Sequence, residues 1–133
     1  MLAFCTCCWL EMQSDAAVCP HCGAKVDDDP RAYEEKLKGA LQHPLPFTRA
    51  RICWLFGQRG DQAATPHLLL MLKDEDLYVR IAALRALGKI GGSSVLSVLE
   101  KAANNPSLII RLAATRALEA ARMQGNSDSR RLT

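Results

Sequence analysis

Val79-Arg80-Ile81-Ala82-Ala83-Leu84-Arg85-Ala86-Leu87 and Ile110-Arg111-Leu112-Ala113-Ala114-Thr115-Arg116-Ala117-Leu118 lie 31 residues apart and agree at six of nine positions. The same offset puts Arg49, Arg80 and Arg111 in register. It also aligns Leu37 with Leu68 and Leu99, and Phe56 with Leu87 and Leu118. A period longer than about 20 residues marks a repeated supersecondary unit, and a unit this short buries its apolar side only against its neighbours. The pattern predicts two antiparallel helices per unit. First helices are expected near 31–42, 63–73 and 94–104, and second helices near 44–58, 75–90 and 106–123. Gly57, Gly60, Gly88, Gly91 and Gly92 fall between second helices and the next first helices. His43-Pro44 and Asn105-Pro106 are expected to open second helices, Asp74 to cap another, and Asp29-Pro30 to start the first helix.

In the second helices, Thr48/Val79/Ile110, Ile52/Ala83/Ala114 and Phe56/Leu87/Leu118 share one face at helical spacing, which makes them the expected core. The other face carries Ala50, Cys53 and Trp54, then Ile81, Leu84 and Arg85, then Leu112, Thr115 and Arg116. Trp54, Ile81 and Leu112 are out of place on a solvated surface, and Trp and Arg are frequent binding anchors. A partner-binding groove is therefore expected on Trp54, Ile81, Arg85, Leu112 and Arg116. The competing reading packs Trp54 and Leu84 inside the stack. Arg49, Arg80 and Arg111 are expected to form a structural ladder, paired with the acids and carbonyls of the preceding turns, Asp74 and Asp76 among them.

The Val-Arg-x-x-Ala-x-x-Ala-Leu-Gly-x-Ile-Gly run at 79–91 resembles the HEAT-like repeats first noted in phycobilin lyases, and the resemblance extends over 31–123. It implies a mainly α fold, a short α-solenoid of about three helical hairpins, with the Trp54–Arg116 row on its inner side. Glu119 stands where the second copy has Gly88, as suits a terminal unit.

The first 26 residues read differently. Cys5-Thr6-Cys7-Cys8 and Cys19-Pro20-His21-Cys22 each contain Cys-x2-Cys, with ten residues between the pairs. Two thiolates on one tight turn bind one ion, and a second turn brought alongside completes a tetrahedron. Trp9–Met12 is expected to form a strand and Gln13–Ala16 a turn. A module this small buries too little apolar surface to fold alone, whereas a structural zinc contributes about 10–16 kcal/mol in comparable peptides. Cys19-Pro20-His21-Cys22-Gly23-Ala24-Lys25 resembles the second knuckle of the short zinc ribbons found in bacterial and archaeal proteins. The resemblance implies a structural Zn2+ on Cys5, Cys8, Cys19 and Cys22. The first knuckle departs from it: Trp9 replaces the usual glycine, and Cys7 is an extra thiol that could stand in for Cys8. Four thiolates leave no position for water, which argues against a catalytic metal here. Residues 1–11 do not read as a signal peptide, and in the expected cytoplasmic setting paired Cys-x2-Cys favours metal over disulfides.

The expected organisation is therefore a ribbon at 1–26, an acidic linker at 27–30, repeats at 31–123 and a disordered tail at 124–133. With no apolar run long enough to span a bilayer, the expected compartment is the cytoplasm. The net charge is +3, but residues 31–133 carry 16 Lys/Arg against 9 Asp/Glu. The ribbon end is acidic and its four thiolates add further negative charge, which disfavours nucleic acid. Some HEAT-like relatives serve chromophore attachment, and others hydroxylate a modified lysine through His–Glu pairs. No acid follows His43 or His67 directly. No Ser/His/Asp set or phosphate loop is present either. The function expected from sequence is a non-catalytic protein-interaction adaptor or scaffold, not an enzyme. Its expected partner is a protein of unknown identity, with no membrane involved and a homodimer as a further option. The alternatives are a nucleic-acid-binding accessory using the basic solenoid and an accessory factor of a bilin-lyase-like modifying enzyme.

Overall fold

A computed structural model describes residues 2–26, 30–60 and 62–131, with side chains placed for 3–26, 35–60 and 62–124. The expected linker aspartates at 27–29, including the Asp29 cap, lie outside the described residues. The fold is mainly α, a short stack of helical repeats with a two-stranded element at the front. Strand β1 (Leu2–Phe4) pairs antiparallel with β2 (Glu11–Gln13), Leu2 opposite Gln13 and Phe4 opposite Glu11. The six helices are α1 (Pro30–Ala40), α2 (Pro46–Arg59), α3 (Thr65–Met71), α4 (Leu77–Ile90), α5 (Ser93–Ala102) and α6 (Leu108–Arg131). Their bounds differ instructively from the sequence reading. Helix α2 opens at Pro46, where the missing N–H costs nothing, rather than at Pro44. Asp74 is not the cap of α4. Asp76 is, its carboxylate accepting from the N–H groups of Tyr78 (2.9 Å) and Val79 (3.2 Å). Helix α6 runs on to Arg131, past the expected start of a disordered tail at 124. Between Glu119 and Arg131 the chain has a single glycine and no proline to stop it.

The core follows the 31-residue register. Val79, Ile110, Ile52, Ala83, Ala114, Phe56, Leu87 and Leu118 are all buried. Thr48 is half-buried. Helix α4 lies between α2 and α6, and α1, α3 and α5 cover the other side. The close approach of the second helices depends on glycine. A Cβ on Gly57 would lie 2.9 Å from the Ala86 Cα, and one on Gly88 would lie 2.8 Å from the Ala117 Cα. These are the same contact, one period apart. Glu119, the next position in register, is exposed.

The three arginines in register differ in their partners. Arg49 is buried. Its Nη1 donates to the carbonyls of His43 (2.7 Å) and Pro44 (3.2 Å), and its Nε and Nη2 fork onto Asp74 at 2.9 and 3.0 Å. Arg111 repeats the carbonyl half of that pattern, donating to Asn105 and Pro106 at 3.0 Å each. Arg80 leaves its buried Nε without a partner among the described residues. Asp74 also accepts from the Asp76 N–H (2.9 Å), so one carboxylate ties α2 to the turn that starts α4. Burial raises the Asp74 pKa, but the Arg49 hydrogen bonds and charge outweigh it and hold the carboxyl below its ordinary value.

Candidate functional site: a cleft beside a four-cysteine cluster

Each knuckle is built by one backbone turn repeated. The Cys7 N–H donates to Cys5 Sγ and the His21 N–H to Cys19 Sγ, both at 3.3 Å. The turns close with Trp9 N–H to the Cys5 carbonyl (2.8 Å) and Gly23 N–H to the Cys19 carbonyl (2.9 Å). The fifth residue of each turn is left-handed: Gly23 has φ 77° and Trp9 has φ 60°. That explains why glycine is usual there. A bulky residue in this region costs roughly 1–2 kcal/mol, and Trp9 offsets it by burying its ring in the core of the helical stack. Sequence alone marks Trp9 as a departure and does not reveal this use.

The two turns bring Cys5, Cys8, Cys19 and Cys22 together, every Sγ within 4.8 Å of the others. Cys5 and Cys22 are 3.6 Å apart, Cys8 and Cys19 3.8 Å. All six cysteines are free thiols. The four expected ligands are thus the four that the fold gathers, and one metal ion fits among them. Cys7 is exposed and outside the cluster. His21 is exposed too, its Nε2 donating to the Glu11 carbonyl (3.0 Å). The sulfurs share charge unequally. Burial works against the Cys19 thiolate, but the N–H groups of Cys22 and His21 and the thiols of Cys5 and Cys22 bring its pKa down to about 6. At Cys22 the Ala24 N–H favours the thiolate, yet burial and the thiols of Cys5, Cys19 and Cys8 push it up to about 12. Four sulfurs this close cannot all ionise without a cation between them.

Beside the knuckles, Phe4 of β1 and Glu11 of β2 give one wall of a cleft. Arg51 Nη1 donates to the Trp9 carbonyl (3.1 Å) and its guanidinium lies 5.0 Å from the Phe47 ring centroid. Phe4 meets Trp54 edge to face, centroids 6.0 Å apart. The cleft between these strands and helices α2 and α4 has a volume of about 1250 Å³. Its walls are mainly apolar and aromatic, from Phe4, Phe47, Trp54, Tyr78 and Ile81, with Arg85 and Lys89 at the α4 side. With its amide oxygen turned toward α4, Gln58 accepts from Trp54 Nε1 (3.2 Å), which fixes the indole. Arg85 is exposed and makes no hydrogen bond or ion pair with another described residue.

Of the expected groove residues, Trp54, Ile81 and Arg85 line this cleft. Leu112 and Arg116 do not, although both are exposed on α6. Cys53 and Leu84, placed on the same face from sequence, are buried in the stack instead. A helix face 100° wide at 3.6 residues per turn does not separate a residue on its margin from one turned inward. Burial pushes the Cys53 thiol up to about 12, so it is inert packing. Phe47, Tyr78, Phe4 and Glu11 were missed. The first two sit in register with each other 31 residues apart, a signal that was available. The last two come from the ribbon, and only the docking of the two parts brings them in.

The family profile for HEAT repeats matches residues 34–119. The chain belongs to the HEAT-repeat family. It is 32% identical over 78 residues to the uncharacterized phycocyanin operon protein Z of Pseudanabaena tenuis, covering 59% of this chain and 39% of that protein. It is 35% identical over 69 residues to deoxyhypusine hydroxylase of Neurospora crassa, covering 50% of this chain and 21% of the enzyme. It is 32% identical over 97 residues to the same enzyme of Aspergillus clavatus, covering 71% of this chain and 29% of the enzyme. The solved structure of human deoxyhypusine hydroxylase in complex with glycerol superposes with a TM-score of 0.64 at 26% identity, over 68% of this chain and 32% of that one. The chain thus spans about a fifth to two-fifths of the length of these proteins.

These relatives correct the functional expectation. Enzymes recur among them, so the expected non-catalytic adaptor is not supported, and neither is the expectation that the chain is not an enzyme. The enzyme-accessory alternative gains nothing over it. The expectation rested on the missing His–Glu pairs, and a helical stack can share its scaffold with an enzyme without any such local motif. The residues present do not fit a His–Glu metal centre: among the described residues the one cluster able to hold a metal is the four cysteines. No helix among the described residues is long and apolar enough to cross a membrane.

Proposed function

We propose that the chain works within an enzyme that acts on polypeptides, with the cleft between strands β1 and β2 and helices α2 and α4 as its substrate-holding site. The observation that carries this is the aromatic cleft lined in part by Arg85, which has no partner among the described residues, in a chain whose relatives include deoxyhypusine hydroxylases. A large, mostly apolar concavity with a few polar groups is the usual form of a ligand site. Trp54, held by Phe4 and Gln58, and Ile81 supply the apolar floor. Arg85 orients an acidic group at the edge.

In this reading the ion on the cysteines is zinc and its role is structural. A tetrahedron with sulfurs at about 2.3 Å from zinc has edges of about 3.8 Å. The two short sulfur–sulfur distances, 3.6 and 3.8 Å, fit that figure. Cys5, Cys8, Cys19 and Cys22 would hold the ion, which supplies the folding energy of the ribbon when bound. The chain's own Arg51, bridging to Trp9, then keeps the ribbon against α2 as the wall of the cleft. Free thiols agree with a reducing compartment, the cytoplasm.

A photo-crosslinking residue in place of Tyr78, expressed in the native host, tests the reading. Crosslinks to peptides of one or a few proteins are expected, at sites whose covalent modification disappears when the gene is deleted. Crosslinked sites whose modification state is the same with and without the gene would overturn the enzyme reading.

A further inference from the structure

Five charged residues line the cleft, and three of them are already engaged. Asp76 caps α4, so its charge is balanced by the helix N-terminus. Arg51 holds the Trp9 carbonyl and lies against the Phe47 ring. Lys89 donates to the amide oxygen that Gln58 turns toward α4. Glu11 and Arg85 are left. Both side chains are exposed and make no hydrogen bond or ion pair with another described residue, nor with each other.

The fold sets these two opposite charges apart across an apolar step. Glu11 lies directly opposite Phe4 in the β1–β2 pair, which puts their side chains on one face. Phe4 meets Trp54 edge to face. Trp54 and Arg85 stand one 31-residue period apart on the packed helices α2 and α4. The Phe4–Trp54 pair therefore comes between the carboxylate and the guanidinium, and Ile81, one turn before Arg85, extends the apolar floor. An occupant that fills this cleft takes water from both charges, and a charge buried without a partner is costly. An uncharged occupant strands both. An occupant of one sign strands one of them and sets a like charge against it. Only an occupant carrying both signs pairs both. The cleft, at about 1250 Å³, exceeds the roughly 300–1,000 Å³ that houses a drug-sized molecule, so a stretch of polypeptide fits it better than a free amino acid.

We infer that the cleft takes a polypeptide segment of mixed charge, with a basic side chain against Glu11, an acidic one against Arg85 and apolar side chains between them on Phe4, Trp54 and Ile81. This names the substrate class of the proposed cleft, and it rests on that reading only in calling the occupant a substrate.

Fluorescence anisotropy on the zinc-loaded full chain tests it, with heptapeptides labelled at the N-terminus and amidated at the C-terminus so that their ends carry no charge. The probes are Lys-Ser-Leu-Leu-Leu-Ser-Glu, the same residues in reverse order, and the two versions with Lys at both ends or Glu at both ends. One of the mixed peptides is expected to bind about tenfold tighter than either single-sign peptide, and salt should shrink that margin. The two charges should act separately. Glu11→Gln is expected to erase the preference over the Glu-ended peptide and keep the one over the Lys-ended peptide. Arg85→Gln is expected to do the opposite. Far-ultraviolet circular dichroism should stay unchanged in both variants, since both positions are exposed. Mixed peptides that bind no tighter than the single-sign ones, or that do not bind saturably, would overturn the inference. So would preferences that survive both substitutions. A mixed-charge preference alongside crosslinked host sites whose modification does not depend on the gene would uphold the occupant and remove the enzyme reading. Gene-dependent modification without any mixed-charge preference would do the reverse.

Discussion

The ribbon and the helical stack are held together in opposite ways. The ribbon's own core is Cys5, Met12 and Cys19, with Cys8 and Val26 against it. The stack has a continuous apolar core from Leu37 to Ala121. One part is cross-linked around a point, and the other is zipped along a line. They meet at Trp9, which belongs by chain to the ribbon and by packing to the stack. The comparison teaches that the ribbon has little apolar core of its own and the stack has a long one, so the proposed ion would matter to the ribbon and not to the stack, while the cleft needs both.

The sharpest break is removal of the metal. Cys19→Ser with Cys22→Ser, or a strong chelator, is expected to forfeit most of the roughly 10–16 kcal/mol that such a site contributes. Metal analysis should show the loss of one ion, and Trp9 emission should shift to the red as the ribbon detaches. Helicity at 222 nm should persist, because the stack does not depend on the sulfurs. A collapse of helicity would mean that the two parts fold as one unit.

The stack has its own weak point at Arg49. Arg49→Ala is expected to cost about 3–5 kcal/mol by stranding the half-buried Asp74, measured by urea denaturation at neutral pH. The pH dependence carries a sign. The folded Asp74 carboxyl lies below its ordinary value of 3.8, so it takes up a proton less readily than in the unfolded chain. Its contribution is complete above that value and is lost as the pH falls through it to the folded one. The variant should lack this acid-side loss.

The joint between the parts is tested by Trp9→Gly. Glycine relieves roughly 1–2 kcal/mol of left-handed strain, but removal of a buried indole costs about 3–5 kcal/mol. Burial wins, so a net loss of about 2 kcal/mol is expected by denaturation. Equal or greater stability would mean that Trp9 is no anchor. The smallest effects compare two glycines. Gly88→Ala drives a Cβ into the Ala117 backbone and should cost about 1–3 kcal/mol. Gly39, in α1, meets nothing within 4 Å, so Gly39→Ala should gain up to about 1 kcal/mol. Thermal midpoints of the two variants should move in opposite directions.

Much of this was legible in advance, and the reasons are specific. The 31-residue offset yielded the helices and nearly every core position, because core burial is a strong periodic constraint. The Cys-x2-Cys spacing yielded all four gathered sulfurs, because a knuckle is a local turn. The cap on α4 was misplaced by two residues: Asp74 and Asp76 are equally good caps by composition, and the bidentate claim of Arg49 from 25 positions away decides between them. Cys53 was misassigned for a similar reason, and Leu84 turns inward as the competing reading had it, the neighbouring helix settling which way a marginal residue turns.

Sequence by itself determined the two building principles, a sulfur cluster and a repeated helical hairpin, since each is written in residues close together along the chain. Tertiary structure alone decided the cleft. Phe4 meets Trp54, and Glu11 lines the same cleft as Tyr78 and Arg85, where the ribbon is seated by Trp9 in the helical core and by Arg51 on its carbonyl. Contacts between residues 40 or more positions apart leave no local pattern to read, because either side of them is compatible with many other partners until the chain has folded.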